Sequence, residues 1–332
     1  MDGYTGFTNT MKTNIVQTKN VNTSKEYKMI SKIVQTKPRR SFFAHAFISP
    51  DEPRLRAGWR LSLQTIMMVV IFAGIILSPF NLLEPPTGSS FDLVAQVTLL
   101  VVFTVTVYIA RRFLDKRSFE SLGFTIDRHT LMDVFAGVGI TFVIMGLIYL
   151  AETTLGWLTF ESFAWQVEPM GAVISGILVF LALYIIVGWT EELLFRGYQL
   201  QTLASGLNLF WAVFISSAVF GVAHLLTPNA TLVSTVGIFF AALFLAYGYV
   251  RTKQLWLSIG LHFGWNFFEG VVFGFRVSGN DIYSIIRHQV AGPELWTGGP
   301  YGPEAGLIVL PVIAVGMVLI FAYTRYVRRT NT

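Results

Sequence analysis

The stretch LVFLALYIIVGWTEELLFR, Leu178 to Arg196, decides how the chain has to be read. Thirteen uncharged residues lead straight into two adjacent glutamates, with an arginine four places after the second. Upstream the apolar run reaches back to Gly171. At 1.5 Å per residue, Gly171–Phe195 is longer than the roughly 30 Å hydrocarbon core of a bilayer. The acids therefore lie on a helix that crosses a membrane. A charge there costs at least about 2.5–3.5 kcal/mol, so it needs a partner or a task.

The rest of the chain agrees. Of 332 residues, 53% are hydrophobic and 13% charged, with mean hydropathy +0.59. Soluble domains carry about 25% charged residues, which argues against a water-soluble enzyme. Apolar segments at Trp59–Phe80, Leu93–Ala110, Leu131–Ala151, Gly171–Phe195, Leu207–Leu226, Leu232–Val250, Leu255–Phe275 and Ala305–Tyr326 read as eight spans. The fourth continues to about Leu203, because no breaker precedes Gly206. The expected fold is an all-α membrane protein, an eight-span helix bundle with an intramembrane polar cavity.

Residues 1–57 are polar and rich in Lys, Thr and Asn, without sustained periodicity or an apolar signal core. They read as a disordered cytoplasmic tail, with Met29 a second candidate start, ahead of a membrane domain at 58–328 whose motif-bearing core is about 170–275. The segment IVQTK recurs at Ile15–Lys19 and Ile33–Lys37, too short a repeat to build a solenoid.

The net charge of +5 does not point to nucleic acid once the charges are located. Of 24 Lys and Arg, 22 lie in the tail and in loops on one side of the eight-span scheme, and only Arg276 and Arg287 on the other. By the positive-inside rule both termini are cytoplasmic. The chain is thus expected to be an integral, multi-pass membrane protein, in the cell membrane if the host is bacterial or archaeal. With no cysteine, thiolate metal sites and cysteine nucleophiles are excluded.

Ionisable residues inside the spans cluster on three helices: Glu191, Glu192 and Arg196; His224; His262 and Glu269. Glu192 and Arg196 are i,i+4 and can pair, while Glu191 is turned about 100° away. His262 and Asn266 are also i,i+4, and Glu269 continues their stripe near the outer end of its span, where it can reach solvent. Phe220 precedes His224 on one face and reads as packing. Asp133, at the mouth of the third span, is expected to be solvated. Each feature alone has a structural reading: an ion pair, an interhelical hydrogen bond, polar glue between helices. Together they read as a site, since packing alone does not call for Glu, two His and Asn on three helices.

Three motifs, Glu191-Glu192-x-x-x-Arg196, Phe220-x-x-x-His224 and His262-x-x-x-Asn266, resemble those of the CPBP intramembrane proteases. That family includes type II CAAX prenyl endopeptidases and Abi-like bacteriocin-processing or immunity proteins. Softer echoes are RLRAGWR at 54–60, SLGF at 121–124 and TGGxxGxE at 297–304. The resemblance implies an endopeptidase in which Glu191 and His224 activate a water while His262 and Asn266 form an oxyanion hole. Glu192 and Arg196 support them. It further implies a peptide or protein substrate, including membrane-anchored or prenylated ones. A metal-free, glutamic mechanism is favoured; the alternative is zinc on Glu191, His224 and His262. The rival functions are a non-proteolytic immunity or scaffold protein of the same family and a proton-coupled transporter.

Glu191 and His262 fall in the cytoplasmic half of this scheme, so access is expected from the cytoplasm or laterally. His224 lies sixteen or more residues into its helix, too far out to meet them unless the fifth helix tilts or the fourth is extended.

Overall fold

The structure is a computed structural model that describes residues 46–77 and 93–327. The chain divides into two units, 1–50 and 51–332. The expected tail up to residue 45, including both IVQTK copies and Met29, lies outside the described residues. The second unit starts at Asp51, and Arg54, placed in the tail by composition, is already buried within it.

Among the described residues, eight longer helices carry this unit. They are α1 (Ala57–Ile76), α2 (Leu93–Ile109 with a π turn, Ala110–Leu114), α3 (Thr130–Thr154) and α4 (Met170–Glu192, a π turn Leu193–Gln199, then Leu200–Ala204). They continue as α5 (Leu209–Ala223 with a tight turn, His224–Leu226), α6 (Leu232–Thr252), α7 (Trp256–Asn266 with a π turn, Phe267–Val272) and α8 (Val309–Ala322 with Tyr323–Val327). Seven are long and apolar enough to cross a membrane; α7, the expected seventh span, is the exception. Its length is marginal for a crossing, and its residues are mostly buried. The count of eight spans is therefore approximate. A two-stranded antiparallel pair, β1 (Leu158–Phe163) with β2 (Ile286–Val290), is the minimal sheet.

The helix ends follow from local chemistry. Asn208 caps α5 by accepting from Trp211 N–H. Thr231 and Ser234 form a reciprocal capping box at α6. Lys253, in the left-handed region at φ 56°, closes α6 and lets α7 begin three residues later. Outward faces present Ile66, Val70, Phe135, Leu178 and Val318, a surface suited to lipid rather than water.

Backbone contact fixes α7. A Cβ on Gly260 would sit 2.3 Å from the Val134 carbonyl oxygen of α3, and one on Gly137 would sit 2.5 Å from Leu261 N. Only glycine lets two helices approach this closely. On its other side α7 meets α4, where Gly188 faces Phe263 and Gly197 faces Leu255.

Those pairings settle the depth problem. α4 runs on from Gly197, level with the start of α7, for two more turns to Ala204, and α5 starts from that extension. His224 then comes up thirteen to fifteen residues along from the connection, as Glu191 does on α4. The extended fourth helix is the reason the three motifs meet.

Two of the softer echoes, at 54–60 and 121–124, are joints of the fold. Arg60 and Arg111 both bond the Asp115 carboxylate, with Arg54 3.7 Å from it. Arg111 also donates to Ser121 Oγ and its carbonyl, and Arg60 to Ser205 Oγ of the connection after α4. Arg54, Arg60, Arg111 and Asp115 are all buried. This joint ties α1, α2 and the end of α4 together.

Candidate active site

The last α-helical turn of α4 sends its two glutamates in different directions. Glu192, fully buried, accepts from Arg196 Nη1 at 2.6 Å. The same oxygen, Oε1, lies 2.9 Å from His262 Nδ1. Arg196 donates its other nitrogen to the Ala242 carbonyl of α6 and stacks over Phe220, 4.5 Å from the ring centroid. The pair expected from spacing is present, and it holds more than its own helix: through Glu192 it fixes the ring of His262 on α7.

Glu191 is left out of that pair. Its Oε2 has no hydrogen-bond partner among the described residues and stands 3.7 Å from His262 Nε2. An orphaned carboxylate oxygen beside an imidazole is the arrangement in which a water or a substrate group completes the set.

His224 ends α5, its Nδ1 2.8 Å from the Phe220 carbonyl. A carbonyl only accepts, so Nδ1 carries the proton of this contact and Nε2 is the nitrogen left for the cavity. Phe220 is more than packing, for its ring lies 4.5 Å from that of His224 and 5.9 Å from that of His262. Its ring also carries the Arg196 guanidinium. Asn266, 7% exposed, makes no side-chain hydrogen bond among the described residues.

Glu191, His224, His262 and Asn266 line one cavity of about 210 Å³, with Phe220 beside them. The site residues expected from the sequence are therefore brought together. The far wall comes from Thr227, Ser278, Asn280 and Glu304, all in segments that follow α5 and α7 or precede α8. These lie at the helix ends opposite the α4–α5 and α6–α7 connections. On the charge-derived topology that is the outer side. On that expectation the segments forming this wall lie on the side opposite the expected cytoplasmic approach.

Glu304 was visible only as the end of a weak motif. It is 4% exposed; Oε1 accepts from Trp265 Nε1, and Oε2 from both the N–H and the hydroxyl of Ser278. Burial pushes its carboxyl above the ordinary carboxylate value, opposed by the Ser278 and Trp265 donors and by nearby His224. Two expectations about other acids give way. Glu269 does not reach solvent and is wholly buried. Asp133 is buried and accepts from Tyr323 Oη at 2.7 Å, because α8 packs on α3 there. Glu152, near the end of α3, is buried as well.

Among the described residues no three His, Cys, Asp or Glu side chains are grouped closely enough to hold a metal ion. Two carboxylates, two imidazoles and a carboxamide line the cavity.

Residues 173–268, which hold all three motifs, match the family described as Type II CAAX prenyl endopeptidase Rce1-like. Residues 173–268 belong to the CPBP family. A relative from Bacillus subtilis (strain 168), "Putative membrane peptidase YdiL", is 36% identical over 78 residues, 24% of this chain and 30% of that protein. The match thus spans under a third of the relative's length. The matched segment ends at Phe268, so Glu304 and the Arg54–Asp115 joint lie outside the match.

Proposed function

We propose that the chain is an intramembrane endopeptidase that hydrolyses a peptide bond with a water activated by Glu191. The observation that carries this reading is the division between the two glutamates. Glu192 is consumed by Arg196 and His262, while Glu191 keeps an unpartnered oxygen on the cavity.

In this reading a water sits between Glu191 and the bare Nε2 of His224. Glu191 takes one proton as the water oxygen bonds to the scissile carbonyl carbon. The carbonyl oxygen gains the displaced electron pair and is met by the Asn266 amide N–H and by Nε2–H of His262 as the imidazolium. Each such donor contributes about 2.7–4 kcal/mol to a typical oxyanion hole. Glu192, on His262 Nδ1, keeps that ring aimed. The C–N bond then breaks, and the proton held by Glu191 passes to the leaving amine. No step is routed through a metal.

The substrate is a peptide or protein segment able to enter from the outer loops or the bilayer, membrane-anchored and prenylated chains included. Both termini are assigned to the cytoplasm on the 22-to-2 distribution of Lys and Arg. The test is a peptide-library digest by the detergent-purified full chain. Cleavage that disappears in Glu191→Gln supports the reading. A folded wild type that cleaves nothing overturns it.

A further inference from the structure

The cavity carries acid and no permanent cation. Glu191 and Glu304 both line it, and no Lys or Arg does among the described residues. Arg196, the cation nearest in sequence to Glu191, is committed to Glu192 and the Ala242 carbonyl. Arg276, close to the roof, is exposed and donates to the Pro300 carbonyl. Any anionic group entering the cavity meets two carboxylates, and the one cation the proposed mechanism places there, the His262 imidazolium, is already balanced by Glu192.

The placement of Glu304 is built into the fold. Each of its oxygens faces an N–H that can only donate, Trp265 Nε1–H on one and Ser278 N–H on the other. Its loop turns on glycines at positive φ. A Cβ at Gly298 (φ 79°) would come within 1.8 Å of the Gly302 carbonyl, and one at Gly302 (φ 106°) within 2.1 Å of the Arg276 carbonyl. On α6, a Cβ at Gly237 would lie 1.8 Å from the Glu304 carbonyl oxygen. Three positions open only to glycine thus bring this carboxylate to the wall facing Glu191 and the histidines.

We infer that Glu304 is a charge-selecting residue of the cavity, which accepts a peptide segment with neutral or cationic groups beside the scissile bond and turns away anionic ones. This rests on the peptidase reading and adds the substrate's chemistry to it. A like charge brought against a fixed, desolvated one is a strong device for rejection.

The experiment uses the purified full chain and a quenched fluorescent peptide found cleaved in the library. Three versions carry Lys, Gln or Glu at the residue beside the scissile bond. In the wild type the Glu peptide is expected to fall at least about tenfold below the Gln peptide in kcat/KM, with the Lys peptide equal to it or better. Glu304→Gln brings the three within about threefold. Glu304→Met, uncharged and of similar volume, gives the same answer should the Gln variant fold poorly. Ser278→Ala removes one bond to the carboxylate but leaves its charge, so the preference persists there. Equal cleavage of all three peptides by the wild type overturns the inference and leaves the peptidase reading standing. So does a preference that survives in the Glu304 variants, or one lost equally in Ser278→Ala. A folded wild type that cuts no peptide overturns the reading and this inference with it.

Discussion

Two neighbouring glutamates divide the work at the scale of the residue. Glu191→Gln keeps the shape but cannot take a proton; kcat/KM should drop by about 10²–10⁴ while the melting midpoint in detergent stays put. Full activity in that variant would remove Glu191 as the base. Glu192→Gln acts otherwise, because it leaves Arg196 buried without its counter-charge and loosens His262. Breaking a buried pair costs roughly 3–5 kcal/mol, so yield and melting midpoint should fall together. The i,i+4 spacing announced the Glu192–Arg196 bond from sequence alone. The bond from Glu192 to His262 joins residues seventy apart in the chain and had no local signal.

At the scale of the element, α7 brings His262 and Asn266 to the cavity only because glycines let it press on α3. Gly260→Val would drive Cβ into the Val134 carbonyl, 2.3 Å away. Overpacking of this kind costs about 1–3 kcal/mol, and it would move His262 with the backbone. The expected result is loss of activity larger than the loss of folded protein, read by kcat/KM against the melt. Equal activity per folded molecule would mean that α7 can shift without disturbing the site. The arginine joint behaves differently, since it touches no cavity residue. Asp115→Asn strands Arg60 and Arg111 and should lower the melting midpoint with kcat/KM of the folded fraction unchanged. RLRAGWR and SLGF stood out as motifs, yet the sequence could not tell a joint from a site. That distinction needs to know which charges are already paired.

On the scale of the whole molecule, the open matters are which side the loops face and whether a metal takes part. The chain has no cysteine, so single cysteines report cleanly. Ser89→Cys and Glu294→Cys should react with an impermeant thiol reagent outside intact cells, and Arg128→Cys should not. The reverse pattern would invert the topology and place the cavity roof in the cytoplasm. Gly298 would be a poor position for such a probe, because it is buried at φ 79° with a carbonyl where Cβ would go. For the metal, activity is expected to survive exhaustive chelation. Stoichiometric zinc, with activity lost on chelation and restored by zinc, would move Glu191, His224 and His262 to the role of ligands.

Taken by itself, the sequence determined the membrane class, the helix positions and the three motifs. Apolar run length and i,i+4 spacing are local properties, and helices obey local rules. It also carried the family, since residue types at fixed spacing survive without coordinates. Tertiary structure alone decided that α4 extends far enough to level His224 with Glu191. It likewise decided that Glu269 and Asp133 are buried, and that Glu304 lines the cavity. Each of these depends on which faces meet across long stretches of chain. The burial of a charge, unlike the period of a helix, is set by its neighbours in space rather than by its neighbours in sequence.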